Sequence, residues 1–509
     1  MKEYDCIVIG AGIAGLFSAF KLSSLGEKVL VLEKQPIPGG YATTFARNGF
    51  IFESSLHCVD GLGLGGEIRE FLEEYNLDKK IEFIPLKDFA RIIYPEHDFI
   101  ANFSKDDFIL YLKQQFPAEK ENMDRLFRAF DKFYKQFDRF SKSKLPNWLN
   151  FALCPLIYPT IITASYQSAE QLISRYIKDG KLKVIITDIW RFLGLPPSRL
   201  SAFYFLIVFR GYYYQPTCNI KGGFTKLFNL MIEEMKKQGS IVRFNSTVKK
   251  ITTKNGKRIK SVITDKNEEF RAKAIISNAN CFDTLINLMD NEAVKKKYES
   301  KLEGMEKSIS AFQVYLGLSV PAKNLGMIHS RLSVNTSYNH DDNFNYSVQS
   351  DYDNCILEIT DHAQVDPSLV PDGRGSLMIM TYDNYSHWKG LSKEEYKKHK
   401  LEVADKLIQR VEKFLPGLAK YIEVKEIATP LTMERYTLSP EGSIYGFAQN
   451  VAQASINRLP QRTAVKGLIL AGAWTFPGGG MHGCFVSGME AADLASRCCC
   501  RLLKLFRSQ

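Results

Sequence analysis

The feature that most constrains this chain lies at its very start. Residues 4–9 form an apolar run of strand length that stops at Gly10-Ala11-Gly12-Ile13-Ala14-Gly15. Apolar residues at helical spacing follow over 16–25, Gly26 closes that helix, and 28–32 reads as a second buried strand with Glu33 and Lys34 at its end. This is one strand–helix–strand unit with an acid about twenty residues beyond the glycines, the spacing of a dinucleotide fingerprint. Each residue type has a physical task. Gly10 permits the tight turn, Gly12 lets backbone approach a pyrophosphate, and Gly15 lets helix and strand pack closely. Ile13 and Ala14 open a helix whose free N–H groups and positive dipole end suit phosphates. Glu33 can accept hydrogen bonds from a ribose diol and would repel a 2′-phosphate, which disfavours NADP.

A second glycine pattern, Gly61-Leu62-Gly63-Leu64-Gly65-Gly66, precedes a helical stretch, but 53–60 before it is a poor buried strand. It reads as an active-site loop entering a helix rather than as a second nucleotide fold. Two other glycine blocks suit a long cofactor. Gly39-Gly40-Tyr41 follows Glu33 closely enough to touch the same ligand. Near the C-terminus, the strand 467–471 feeds Gly472-Ala473 and then Gly478-Gly479-Gly480-Met481-His482, with a helix expected from about Cys484 to Ser496. A strand, a glycine turn and a helix start make a second positive dipole end, suited to negative charge developing at a flavin's N1–C2=O edge.

Length and composition limit the alternatives. At 509 residues, 45% hydrophobic and 24% charged, the chain exceeds one compact domain, and two intimately joined domains are expected. The net charge of +11 is spread rather than striped beside stacking aromatics, so no nucleic-acid partner is expected. The ten cysteines form no CxxC pair and read as reduced thiols. The N-terminus carries no basic start, apolar core and cleavage site, so the expected location is cytoplasmic or peripheral to the cytosolic face of a membrane, not secreted.

The fingerprint, the Gly39-Gly40 pair and the block 471–483 together resemble the phytoene desaturase family, with its carotenoid isomerases and retinol saturases, inside the wider amine-oxidase-like flavoproteins. Lys221-Gly222-Gly223-Phe224, Ser277-Asn278-Ala279 and Glu434-Arg435-Tyr436-Thr437 look like further landmarks. The resemblance implies FAD as cofactor. It also implies an α/β fold: a Rossmann-type FAD-binding domain made of 1–84, 236–284 and 461–497, with a discontinuous, mixed α+β substrate domain made of 85–235 and 285–460. By the same resemblance Gly10, Gly12, Ile13, Ala14, Gly15, Glu33 and Lys34 hold the ADP part. Gly39, Gly40 and Tyr41 line the pyrophosphate and ribityl region, Val248 pairs its backbone with the adenine, and Gly472, Ala473, Met481 and His482 carry the flavin end. Ala473 stands where many relatives have an acid. Gln35 and Tyr41 stand where an arginine often flanks the Gly-Gly pair.

The implied chemistry is hydride exchange between a carbon and flavin N5 on a long apolar polyene or isoprenoid, as a desaturase, saturase or isomerase, with no electron partner named by the sequence. His57, Glu53 and His482 are the ionisable candidates beside the cofactor motifs, each with a structural role as the plainer alternative. No metal-ligand set appears among the eight histidines. The rivals are a flavin amine oxidase on the same fold and a non-catalytic prenyl-lipid escort protein, the latter expected to have lost glycines that here are intact. Residues 145–164 approach membrane-span length, but Pro155 and Pro159 break them, so a segment dipping into one leaflet or a buried flap is expected. The tail 498–509 is basic and amphipathic, suited to peripheral membrane contact.

Overall fold

The computed structural model describes residues 2–86, 88–102, 104–143 and 147–499. Two seven-stranded sheets organise it. In the first, Lys2–Ile9 runs parallel to Val29–Leu32 on one side and to Glu269–Ser277 on the other, and Val29–Leu32 runs parallel to Ile241–Arg243. The long strand Glu269–Ser277 shares its far edge between two partners. Its start pairs antiparallel with the hairpin of Val248–Lys254 and Arg258–Thr264, and its end pairs parallel with Leu468–Leu470. The central strands carry apolar residues without alternation because helices and loops cover both faces.

Helices Ile13–Ser24, Phe224–Lys237 and Met481–Cys499 cover one face, where Phe17, Phe20, Phe71 and Phe485 meet edge-to-face at centroid distances of 5.0 to 5.9 Å. Glu292–Glu303 closes the other face with Val294, Tyr298 and Leu302. Both Phe224–Lys237 and Glu292–Glu303 thus pack with the dinucleotide sheet, although the sequence pattern assigns 224–235 and 285–303 to the substrate domain. Their apolar faces find a partner far away in the chain, which periodicity alone does not reveal.

The second sheet runs in the order Ile422–Ala428, Ser310–Leu318, Gly375–Asp383, Leu357–Thr360, Arg331–Val334, Asp88–Ile93, Asp98–Asn102. Helix Lys393–Glu412 packs on one face through Val403, Leu407 and Val411. The other face meets a helical block between residues 105 and 213. The aromatic run 203–209 lies on helix Ala202–Tyr213, where Phe205 and Phe209 are fully buried against Phe130. Those two rings are core, while Phe203, Ile207 and Val208 stay partly exposed. Residues 147–165 form two short helices, Asn147–Ile157 and Pro159–Ser165, broken at Tyr158 as the prolines require. Leu145 and Pro146 lie outside the described residues. No described helix is long and apolar enough to cross a membrane. The C-terminal helix extends through Cys498 and Cys499, and 500–509 of the expected tail lie outside the described residues.

Close approach of Ile13–Ser24 and Met481–Cys499 depends on Gly488, where an added Cβ would stand 2.6 Å from the Ala14 carbonyl oxygen. Gly488→Val should therefore force the helices apart and cost about 1–3 kcal/mol, seen as a lower denaturant midpoint with an unchanged slope.

Candidate cofactor-binding site

Three parallel strands end at the same edge of the first sheet, so the residues after Ile9, Ser277 and Leu470 meet there. The first turn is tight. Gly10 has φ +91°, and a Cβ on Gly15 would stand 2.0 Å from the Gly10 carbonyl oxygen. No side chain caps helix Ile13–Ser24, which leaves the N–H groups of its first turn, including Ile13 and Ala14, for a ligand. The Gly39 amide donates to the Ala11 carbonyl at 2.8 Å, laying the second glycine loop beside the first. Gly39 and Gly40 both have positive φ, at +114° and +60°, a backbone course open to glycine.

Asn278 is the residue that motif reading undervalued. Added Cβ atoms on Gly12 and Gly472 would stand 2.7 and 2.4 Å from its side chain, and one on Gly15 would stand 3.2 Å away. Asn278 thus fills the centre of the cradle between the N-terminal and C-terminal glycine loops. The available signal was register: Ser277 pairs with Ile9, so Asn278 must emerge beside Gly10.

Glu33 accepts from the amides of Ala11 at 2.6 Å and Gln35 at 2.7 Å, while its burial pushes the carboxyl above the usual range. One oxygen takes each amide, leaving lone pairs for a diol. Ser246, two residues before Val248, donates its amide to the Glu33 carbonyl at 2.9 Å, which sets Val248 near the acid. Lys34 is engaged elsewhere: its Nζ donates to the Arg435 carbonyl at 3.0 Å, while Gln35 Nε2 reaches Tyr436 O at 2.6 Å. Both tie this loop to helix Pro430–Thr437. The Tyr41 hydroxyl is held by Thr437 and by the carbonyls of Gly442 and Ser443, and burial pushes it up to about 12.

The loop 54–66 joins the two cofactor loops. Ser54 and Ser55 donate to the Tyr41 carbonyl at 2.6 and 2.5 Å, and Asp60 reaches His482. The second glycine pattern lies in this loop. It follows the antiparallel hairpin Thr44–Arg47 with Phe50–Glu53, outside the parallel sheet, and leads into helix Glu67–Glu74.

The three ionisable candidates differ. Glu53 accepts from the Phe224 amide at 2.9 Å, where helix Phe224–Lys237 begins, and burial pushes it up to about 8. That contact makes it a helix cap, protonated at neutral pH. His57, half-buried between Phe192, His362 and Thr360, meets Thr360 Oγ1 at 2.7 Å through Nδ1. Burial, aided by the cations Arg331 and Arg191, holds it well below the usual imidazole range. His482 is opposite. It begins the C-terminal helix, which starts at Met481, three residues earlier than the sequence pattern places it. Burial alone would lower it, but Asp60 at 3.3 Å and Glu67 at 3.0 Å outweigh that and push it up to about 10.

Below His57 lies a buried ionic group. Arg191 pairs with Asp188 and, at 3.1 Å, with Glu358; Arg331 lies 3.9 Å from Glu358 and donates to Cys58 Sγ at 3.0 Å. Ser333 and Glu358 face each other across the strand pair Arg331–Val334 and Leu357–Thr360.

A glycine cradle at the C-terminal ends of parallel strands, an uncapped helix start and a diol-accepting acid define a dinucleotide-binding flavoprotein site, and the residues fit FAD. The chain belongs to the family described as flavin containing amine oxidoreductase, whose profile matches residues 13–495. It is similar to the chloroplastic prolycopene isomerase of Daucus carota, 29% identical over 96% of this chain and 80% of that protein. It is also similar to the all-trans-retinol 13,14-reductase of Danio rerio, 23% identical over 92% of this chain and 82% of that one. Among solved structures, putrescine oxidase bound to putrescine shares the fold, with TM-score 0.64, 16% identity, and coverage of 97% of this chain and 99% of that one. The cofactor is FAD.

Bound FAD supplies two-electron redox chemistry at carbon centres. The glycine loops, Glu33 and the start of the C-terminal helix are the residues that would hold it. Gly12→Val would push methyl groups into the cradle beside Asn278. FAD affinity should fall about a hundredfold, ~2.8 kcal/mol, giving a colourless protein with unchanged circular dichroism. The His482 clamp gives a pH signature. Its folded value lies above its unfolded value of 6.5, so its stabilisation is complete below that pH and is lost as pH rises toward about 10. His482→Gln should flatten the decline in melting temperature over this window.

Proposed function

We propose that this flavoprotein desaturates, saturates or isomerises a long apolar polyene or isoprenoid of carotenoid or retinoid type. The observation that carries the reading is the state of His57. It sits in the loop joining both cofactor loops, neutral, with Phe192 beside it and the Arg331 and Arg191 cations behind it. Tyr212 stacks on Phe192 at 5.3 Å and extends the aromatic surface. The aromatic faces of Phe192 and Tyr212 accept a polyene, while Arg191 and Arg331 are balanced by Asp188 and Glu358 beneath them. The names of the isomerase and the reductase above agree with this substrate class.

In this reading a polyene spreads developing charge along its conjugated chain, so the residues position and desolvate the substrate rather than supply a strong base. His57 and His362 are both neutral at pH 7, the latter held down to about 4 by burial. We further propose that the substrate arrives from a lipid surface, which Leu156, at 82% exposure, and the partly exposed Ile157 would touch.

The test is anaerobic incubation of the FAD-loaded chain with a panel of carotenoids and retinol in detergent micelles, followed by chromatography and flavin absorbance. A changed double-bond pattern in one polyene, at a rate flat between about pH 5.5 and 7, where both histidines stay neutral and Glu53 stays protonated, is the expected result. Bleaching by putrescine or a monoamine, with every polyene returned intact, would overturn it in favour of an amine oxidase. Polyene binding without chemistry would favour a lipid escort.

A further inference from the structure

Behind the C-terminal glycine turn lies an arginine without a counter-ion among the described residues. Arg458 is 3% exposed. Its Nη1 donates to the carbonyls of Phe447 at 2.9 Å and Ala448 at 3.3 Å, and its Nη2 to those of Ala473 at 2.6 Å and Tyr445 at 3.4 Å. Its Nε has no hydrogen-bond partner among the described residues. The titratable groups acting on it are Tyr204, Cys281 and Cys484, none of them a carboxylate. Burial keeps all three protonated, with Cys484 up to about 12. Arg191 and His482, by contrast, each face two carboxylates.

Position gives this charge its meaning. Ala473 directly follows Gly472 of the cradle. A Cβ on Gly479 would stand 2.8 Å from Tyr445 Cα, so the guanidinium lies one peptide behind the 478–480 turn that opens the C-terminal helix. A cation buried against carbonyl dipoles alone is costly, and the cost is offset when an anionic group arrives beside it. Transfer of two electrons and one proton to the neutral oxidised flavin ring leaves one negative charge on it. A helix start contributes only about half an elementary charge toward it.

We propose that Arg458 is a positioning residue for the FAD site, whose uncompensated positive charge favours the reduced, anionic cofactor and raises its reduction potential. The proposal rests on FAD binding at the 472–482 turn and is independent of which substrate is used.

The test compares wild type, Arg458→Gln and Arg458→Lys, each loaded with FAD, by equilibration with redox dyes and by thermal melting of apo and holo protein. Arg458→Gln should lower the equilibrium constant for reduction at least tenfold, about 30 mV in a two-electron couple. Arg458→Lys should keep the wild-type potential while losing thermal stability, because one ammonium cannot reach four carbonyls. If Arg458→Gln keeps the wild-type potential, or Arg458→Lys falls as far as it does, Arg458 is a backbone staple and the proposal is overturned. Wild type alone supplies a check that needs no variant. Between pH 5.5 and 7.5 the equilibrium constant should change about tenfold per pH unit, one proton per two electrons, whereas a hundredfold change would mean a second proton and would overturn it. Wild type that binds no FAD would refute the cofactor assignment instead, a separate outcome.

Discussion

Everything at the site depends on three parallel strands ending in register at one edge of one sheet. Ile9, Ser277 and Leu470 come from opposite ends and the middle of the chain, yet their ladder places Gly10, Asn278 and Gly472 within a few ångströms. Packing against the two cores fixes that register, because a slip by one residue would exchange the side chains that the two covered faces receive. Once it is fixed, the glycines have a single shared task. They leave room around the Asn278 amide and around the backbone that meets a pyrophosphate.

Charge is handled differently on the two sides of this edge. At the N-terminal glycine loop one acid, Glu33, is held by backbone amides. At the C-terminal glycine turn three positive features gather: the start of the C-terminal helix, His482 and Arg458. The carboxylates of Asp60 and Glu67 neutralise His482, which makes it a clamp between the loop 54–66 and the helix. Arg458 remains as full charge. In the substrate half, Arg191, Arg331, Asp188 and Glu358 balance one another inside the protein. Such a buried group is weak as a source of stability but strict in geometry, since removing one member leaves an unpaired charge behind. It holds the strand pair Arg331–Val334 and Leu357–Thr360 under His57.

Local pattern made the N-terminal unit, the break at Tyr158–Pro159 and the glycine blocks legible, because each is encoded by neighbours in sequence. Boundaries were less legible. Helix Phe224–Lys237 shows its apolar face plainly, but whether that face meets the dinucleotide sheet or the substrate half depends on a partner over two hundred residues away. The ionisable candidates show the same limit. Glu53, His57 and His482 look alike as titratable groups near cofactor motifs, and their environments separate them into a protonated helix cap, a neutral half-buried imidazole and a charged clamp.

The sequence by itself determined the dinucleotide fold and the two further glycine loops, because those follow from steric room and short-range spacing. Tertiary structure alone decided the roles of Asn278 and Arg458 and the charge states of the three candidates. Those depend on burial and on contacts between segments hundreds of residues apart, and the free energy of a charge is set by what surrounds it rather than by what precedes it in the chain.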